Sequence, residues 1–128
     1  MITTVTLHAA IDRTYYVDEF SLGQVHRVAR QVDEPGGKGN NVAKVGIETA
    51  FVHAPGESRV CLNILDESSG SSTELLGPGP AITEPQIAAI KETRHSLAQK
   101  SSIVVLSGSL PAGAPENMYA ELINIGRS

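Results

Sequence analysis

The run Ile103-Val104-Val105-Leu106 constrains the fold of this chain more than any other segment. A short, fully apolar run of this kind is typical of a parallel strand that is buried on both faces. It follows a segment of helical periodicity, for which Thr83 is the predicted N-cap, Pro85 fits the first turn and Gln86 completes a capping box. This helix is predicted to continue to about Gln99. A helix that leads into a buried strand indicates an α/β fold.

Several other segments are predicted to be strands. Their β-branched or alternating apolar residues favour extended backbone, and they are residues 2–7, 15–17, 25–32, 59–65 and 72–76. A polar turn separates the last two, which predicts a hairpin. A final helix is predicted to begin at Pro115. The hairpin does not fit a parallel core, so we expect it to belong to an appended antiparallel sheet.

The composition excludes several classes of protein. At 128 residues, with 41% hydrophobic and 19% charged residues, the chain is predicted to form one globular domain. A net charge of −4 and the absence of Trp argue against nucleic acid or an acidic membrane as a partner. The lone Cys61 excludes an internal disulfide and fits a reducing compartment. Without a signal-peptide pattern or an apolar run long enough to cross a bilayer, a cytoplasmic location is expected.

A glycine-rich run at residues 34–43 is the strongest indication of ligand binding. Gly36, Gly37 and Gly39 allow close backbone approach to a ligand, and the start of the following predicted helix would attract an anion. Lys38 adds a mobile positive charge suited to phosphate. The run therefore predicts a site for a phosphorylated or polyhydroxylated small molecule, although a tight structural turn is the alternative. Gly46 follows unusually soon for a helix that opens near Asn41.

Two further loops lie where ligands bind in α/β folds, at the carboxyl ends of predicted strands. Asp12 follows the first strand, although such a residue also suits an ordinary turn. Ser109 follows the apolar run, but it has no nucleophile-elbow pattern and no histidine placed beside it, so hydrolase chemistry is not expected. The four histidines show no metal-ligand spacing and are interpreted as structural or exposed, so no metal site is predicted: His8, His26, His53 and His95.

A series of short motifs runs along the whole chain. In order they are Thr4-Val5-Thr6-Leu7, Ala10-Ile11-Asp12, Pro35-Gly36-Gly37-Lys38-Gly39, Asn41-Val42-Ala43, Gly56-Glu57-Ser58-Arg59, Gly77-Pro78-Gly79 and residues 104–111. Together they resemble the ribokinase-like carbohydrate kinases of the PfkB family, and most closely the 1-phosphofructokinase and tagatose-6-phosphate kinase branch. The resemblance implies an α/β fold in which a partial ribokinase-like parallel sheet with flanking helices carries an antiparallel β lid.

The resemblance also implies which residues bind substrate. Asp12 would bind sugar hydroxyls. A loop would close over the sugar, and it consists of Gly37, Lys38, Gly39 and Asn41. The substrate's existing phosphate would be bound by Arg27, Arg59 and Ser109. Arginine suits that task because it donates two aligned, charge-assisted hydrogen bonds. ATP and Mg²⁺ are the implied cofactors, a sugar phosphate is the implied partner, and lid strands that pair between subunits would give a homo-oligomer.

The chain departs from the family pattern in four ways. His8-Ala9 stand where the branch usually carries Asn-Pro, and Cys61 stands where an asparagine is usual. The segment after Lys44 reads as though a helix, a core strand and a second glycine loop had been excised. The Asn-x-x-Glu and Gly-x-Gly-Asp regions of the family, which serve magnesium, nucleotide and catalysis, have no counterpart here. No catalytic residue is therefore predicted, and kinase activity is not expected from this chain alone.

These observations predict one incomplete ribokinase-like domain over residues 1–128. Lid strands are expected at roughly 14–33 and 59–76, and core elements at 2–7, 40–46 and 84–126. Three functions stay open: the sugar-phosphate-binding part of a hexose-phosphate kinase, a non-catalytic remnant that still binds sugar phosphate, and a lid-mediated interaction module. Which hexose phosphate is bound also stays open. With only two core strands evident, an ill-packed monomer or obligate association is expected.

Overall fold

The computed structural model describes residues 1–37 and 49–126, in which two helices and two β-sheets occur. In chain order the elements are β1 (Ile2–Thr6), β2 (Ala10–Val17), β3 (Arg30–Gly36), β4 (Arg59–Asp66), β5 (Ser72–Leu76), α1 (Glu84–Ala98), β6 (Ile103–Ser107) and α2 (Met118–Asn124). The helix predicted from Asn41, with the core element at 40–46 and the departure after Lys44, lies outside these residues.

The first sheet pairs β1 with β6 in parallel, in a register that runs from Ile2 opposite Ile103 to Thr6 opposite Ser107. The helices pack on this sheet through a buried cluster, against which Val5 and Leu106 also lie: Ile82, Ile87, Met118 and Leu122. The predicted α/β fold class is confirmed by this arrangement of parallel strands and helices.

Strand β6 is not buried on both faces, contrary to the sequence prediction. Val104 and Leu106 are half-buried, whereas Ile103 is 56% and Val105 37% exposed. Successive side chains of a strand point to opposite faces, and the helical cluster covers only the face that carries Leu106. The apolar residues of β6 therefore favour burial of both faces of the strand, but only the face that carries Leu106 is covered.

The second sheet has the strand order β3-β2-β4-β5 and is called the lid sheet below. The pair β4–β5 is the antiparallel hairpin that the sequence predicts. The sheet as a whole is mixed rather than antiparallel, because β2 and β4 run parallel, with Ala10 opposite Arg59. Both strands therefore enter the lid sheet from the same side. Two antiparallel hairpins lie side by side, which local sequence patterns do not reveal.

The strands of the first lid hairpin are longer or displaced relative to their sequence predictions. The strand predicted at 15–17 begins at Ala10, and the strand predicted at 25–32 covers Arg30–Gly36. Partners on both sides of β2 extend it, and a cross-strand ion pair supports the register: Arg13 Nε and Nη2 donate to the two carboxylate oxygens of Asp33 at 2.8 and 2.7 Å. This pairing lowers the pKa of Asp33.

Helix α1 begins as the sequence predicts. Gln86 Oε1 accepts hydrogen bonds from the backbone N–H of Thr83 at 3.0 Å and from its hydroxyl at 2.6 Å, which completes the predicted capping box. Helix α2 begins at Met118, three residues after the predicted start at Pro115.

No helix among the described residues has the length and apolar character needed to cross a bilayer.

Asp66 closes the turn between β4 and β5. Its carboxylate is buried and accepts hydrogen bonds from the hydroxyls of Ser68 at 2.7 Å and Ser69 at 2.8 Å, and from the backbone N–H of Glu19 at 3.0 Å. These bonds stabilise the charged form and, led by that from Ser68, lower the pKa of Asp66 to about 2. The carboxylate therefore ties the end of β4 to the segment after β2.

We predict that acid weakens the lid sheet through Asp66. Because the pKa of Asp66 is lower in the folded than in the unfolded chain, its contribution is fully present above about pH 4. It is lost as the pH falls towards 2. Asp66→Asn should lower the unfolding midpoint in urea at pH 7 and flatten its dependence on pH between 4 and 2. The exposed Asp18→Asn is the control, and identical pH profiles for the two variants would contradict the prediction.

Candidate functional site

The parallel pairing of β1 and β6 brings two loops to one edge of the first sheet. His8 follows the carboxyl end of β1, and Ser109 follows that of β6. His8 Nδ1 and Ser109 Oγ are 2.9 Å apart, although the two residues are 101 positions apart in the sequence. This is the edge at which α/β sheets bind ligands, and the contact marks the centre of the candidate site.

The segment after β5 forms a second side of the site. His8 Nε2 donates a hydrogen bond to the carbonyl oxygen of Pro78 at 3.1 Å. The segment is anchored to the lid sheet because the backbone N–H of Gly77 donates to the carbonyl of Val60 at 3.0 Å. Gly79 lies directly against the side chains of His8 and Arg59. The imidazole is therefore held between the two sheets.

Arg59 begins β4 and supplies the positive charge of the site. Its Nη2 donates a long hydrogen bond of 3.4 Å to the backbone carbonyl of His8. Its Nε is buried and has no hydrogen-bond partner among the described residues. A buried donor on a cationic group without an acceptor is costly, which makes this nitrogen a place where an anion would bind favourably.

Asp12 lies within β2 and not in a loop after the first strand, so that sequence interpretation is wrong. The ladder with β4 explains its position, because Asp12 pairs with Cys61 and two residues earlier Ala10 pairs with Arg59. Side chains two positions apart on a strand share a face, so Asp12 and Arg59 project from the same side of the lid sheet. The Asp12 carboxylate packs directly against Gly36, leaving no room there for a side chain.

Gly37 ends the described part of the glycine-rich run and faces the same corner. Its φ of 100° is one that side-chain-bearing residues rarely adopt, and a Cβ there would lie 2.9 Å from Thr6 Cγ2 and 3.4 Å from the Cα of Ala9. The glycine therefore allows the run to approach the segment that contains His8. Lys38, Gly39 and Asn41 lie outside the described residues.

Arg27 is not part of this cluster. It is exposed in the connection between β2 and β3, at the end of β2 where the backbone N–H of Ala29 donates to the carbonyl of Tyr16 at 2.9 Å. Tyr16 is four residues from Asp12, which is about 13 Å along a strand. The structure therefore brings together four of the predicted residues within one copy of the chain, and Arg27 is distant from them: Asp12, Gly37, Arg59 and Ser109.

His8 is the site residue that sequence reasoning missed. The sequence predicts a structural or exposed histidine here and none beside Ser109, but the structure places the His8 imidazole at the centre of the cluster. The signal that could have found it is the departure from the Asn-Pro that the resemblance places a few residues before Asp12. A change of residue type close to a predicted binding residue indicates a change in the site's chemistry.

Tyr119 on α2 supports the loop that carries Ser109. Its hydroxyl lies 2.9 Å from the carbonyl oxygen of Gly108 and 3.2 Å from that of Ser107, and it donates to them. Partial burial raises the pKa of Tyr119 above its ordinary value. The phenol therefore stays protonated at neutral pH and can act as a donor that connects helix α2 to the edge of the site.

Comparison with known proteins identifies the architecture. No protein-family model matches the sequence. A solved structure from Thermotoga maritima, described as a possible 1-phosphofructokinase, matches 99% of this chain with a TM-score of 0.88 and 28% identity, over 50% of its own length. The chain has the ribokinase-like fold of the PfkB phosphofructokinases. The resemblance predicted from the sequence motifs is therefore confirmed.

Two structures of phosphofructokinase-2 from Escherichia coli show the same fold. The complex with fructose-6-phosphate matches 98% of this chain, with a TM-score of 0.86 and 24% identity, over 51% of its length. The tetrameric inhibited form matches 98%, with a TM-score of 0.85 and 23% identity, also over 51%. The chain thus spans about half the length of the solved proteins it matches. Its fold corresponds to that half of a sugar-phosphate-kinase-like structure.

Gly79 should be required at the junction of the two sheets. Its φ is 72°, and a Cβ there would lie 2.9 Å from Arg59 Cβ and 3.0 Å from His8 Nε2. Gly70 has the same φ of 72° but nothing within 4 Å, so it is a matched control for backbone strain. We predict that Gly70→Ala costs roughly 1–2 kcal/mol of unfolding free energy. Gly79→Ala should cost about 1–3 kcal/mol more through overpacking.

Urea denaturation of both variants measures these costs. The position of the His8 imidazole, followed by its NMR chemical shifts, should change in Gly79→Ala and not in Gly70→Ala. Equal losses of stability, with His8 resonances unchanged in both variants, would show that Gly79 does not set the distance between Arg59 and His8.

Proposed function

We propose that this chain is the sugar-phosphate-binding part of a PfkB-type hexose-phosphate kinase. The observation that carries the proposal is the Nε of Arg59, which is buried and has no hydrogen-bond partner within residues 1–37 and 49–126, at the edge where β1 and β6 end. Ser109 and His8 lie at the same corner and supply further polar groups. A guanidinium beside a hydroxyl is suited to a phosphate because both can donate charge-assisted hydrogen bonds to its oxygens.

Asp12 supports the assignment of a sugar rather than a free phosphate. It projects from the same face of the lid sheet as Arg59. Along β2 it lies two residues after Ala10, which is the register partner of Arg59. Two residues of a strand span about 7 Å, which is comparable to the length of a hexose. A carboxylate at that distance accepts hydrogen bonds from hydroxyls. We propose that the phosphate lies at Arg59 and Ser109 and that the sugar hydroxyls face Asp12.

We propose that ATP with Mg²⁺ does not bind to the described residues. No group of three acidic, histidine or cysteine side chains suited to a metal ion occurs within residues 1–37 and 49–126. The sequence contains no Gly-x-Gly-Asp. Phosphoryl transfer depends on positioning the γ-phosphoryl group and stabilising its charge, and we propose that the described site does neither. ATP and Mg²⁺ would have to bind to other parts of a complete kinase, and a cytoplasmic location stays a prediction.

An interaction module is the second candidate, and the lid sheet is the observation that favours it. Strand β5 lies at an edge of the sheet, and all five of its residues are exposed, with Leu75 at 55% and Leu76 at 67%. An exposed apolar edge strand favours pairing with another chain. Homo-oligomers paired through the lid would fit this surface. Binding of a sugar phosphate that depends on Arg59 separates the two candidates, because pairing through β5 does not involve that site.

We predict that the chain binds fructose 6-phosphate or fructose 1-phosphate and that Arg59→Gln weakens binding at least tenfold. The loss follows from removal of a charge-assisted donor, for which about 1.5–3 kcal/mol is typical. Isothermal titration calorimetry measures the affinity. Lys100→Gln, which removes one exposed positive charge outside the site, should bind as the wild type does. Equal weakening in both variants would show that binding reflects only net charge.

We also predict that the purified chain does not phosphorylate these sugars with Mg-ATP. A coupled assay for ADP release should show no turnover above the rate without protein, because the groups that stabilise the transferred phosphoryl are missing from the site. Turnover that co-purifies with the chain through several columns, and that Arg59→Gln removes, would contradict this prediction.

A further inference from the structure

The two hydrogen bonds of His8 define the tautomer of its neutral imidazole. The carbonyl oxygen of Pro78 can only accept, so His8 Nε2, at 3.1 Å, carries a hydrogen and donates it. In the neutral imidazole Nδ1 is then an acceptor, and the Ser109 hydroxyl donates its hydrogen to it across 2.9 Å. In the imidazolium both nitrogens donate, so Nδ1–H donates to Ser109 Oγ instead. The same contact thus exists in two proton arrangements.

The protonation state of His8 decides whether the Ser109 hydroxyl can donate a hydrogen bond to a ligand. Beside the neutral imidazole, the hydroxyl hydrogen is used, and Ser109 Oγ presents only lone pairs to its exposed side. These lone pairs repel the oxygens of an anion. Beside the imidazolium, the hydroxyl hydrogen is released and can be donated to a phosphate oxygen. Protonation of one side chain therefore converts its neighbour from an acceptor to a donor.

The charges around His8 couple this change to anion binding. Arg59 from β4 contacts the His8 backbone through Nη2, and Asp12 lies on the adjacent strand β2 with its carboxylate against Gly36. Ser109 and the segment at Pro78 contribute uncharged groups. A bound dianion neutralises both charges, so anion binding and proton uptake favour each other by the same factor.

We propose that His8 is a positioning residue for the ligand's phosphate group and that it takes up a proton when the phosphate binds beside Ser109 and Arg59. This inference rests on the proposed function, and it adds a residue at which this chain differs from the Asn-Pro of the family it resembles. It makes the site selective for anions through a switch in hydrogen-bond polarity, and not only through the fixed charge of Arg59.

Comparison of two ligands separates the pH dependence of binding that arises from His8 from the pH dependence that arises from ionisation of the ligand. Fructose 6-phosphate loses its second phosphate proton near pH 6, so its affinity changes with pH for a reason of its own. Inorganic sulfate stays a dianion throughout and reports only on the protein. Calorimetry between pH 5.5 and 8.5, repeated in two buffers of different ionisation enthalpy, gives both the affinity and the number of protons taken up.

We expect the affinity of the wild type for sulfate to fall at least fivefold from pH 5.5 to 8.5, with net proton uptake near neutral pH. His8→Asn should show neither effect. Ser109→Ala should keep proton uptake and bind more weakly at low pH, and the exposed His95→Asn should match the wild type. Imidazole NMR of the wild type gives a second readout without substitution, because sulfate should raise the pH at which His8 titrates.

The outcomes distinguish this proposal from the proposed function. Sulfate binding with the same pH dependence in wild type and His8→Asn, or an unchanged His8 titration, would overturn the role of His8 alone. Failure of fructose 6-phosphate to bind at any pH, with His8-dependent sulfate binding intact, would overturn the proposed function and leave the anion site. Failure of both ligands to bind the wild type would overturn both.

Discussion

The parallel pairing of β1 with β6 is the interaction on which the rest of the structure depends. It joins the start of the chain to a strand about a hundred residues later, so its formation must offset the closure entropy of a long loop. The gain comes from the buried cluster around Met118 and Leu122, which packs on the paired strands. Without this pairing His8 and Ser109 would not meet, and the cluster formed by α1 and α2 would lack the strands against which it packs.

The candidate site lies where the core sheet and the lid sheet are joined. The chain leaves β1 through His8 and enters β2 at Ala10, whose register partner Arg59 begins β4. The segment at Pro78 returns from the lid and contacts the same imidazole. The loop after β6 brings Ser109 to this imidazole as well. Three connections therefore converge on one corner, and each supplies a polar group. A site built from connections depends on both sheets, so a change in the lid at Gly79 acts directly on the residues of the core edge.

Local features of the fold could be predicted where neighbouring residues decide the backbone. The capping box of Thr83 and Gln86 involves groups three residues apart, and the alternation at residues 59–65 marks a half-buried strand. Asp12 was misplaced because β2 is extended by partners on both sides, and the parallel pairing of β2 with β4 has no local signature. Four predicted substrate residues converge in space, but that convergence depended on motifs of a family, and not on the residues alone.

The amino-acid sequence by itself determined the α/β class, the start of α1, the β4–β5 hairpin and the kinase family that the motifs resemble. These follow from residue preferences and short-range spacing, which the chain carries without folding. Only the tertiary structure decided that the lid sheet is mixed, that Arg27 lies away from the cluster, and that His8 contacts Ser109 across 101 positions. The reason is that a hydrogen bond between distant segments requires a defined register and packing, and both arise only when the two sheets form.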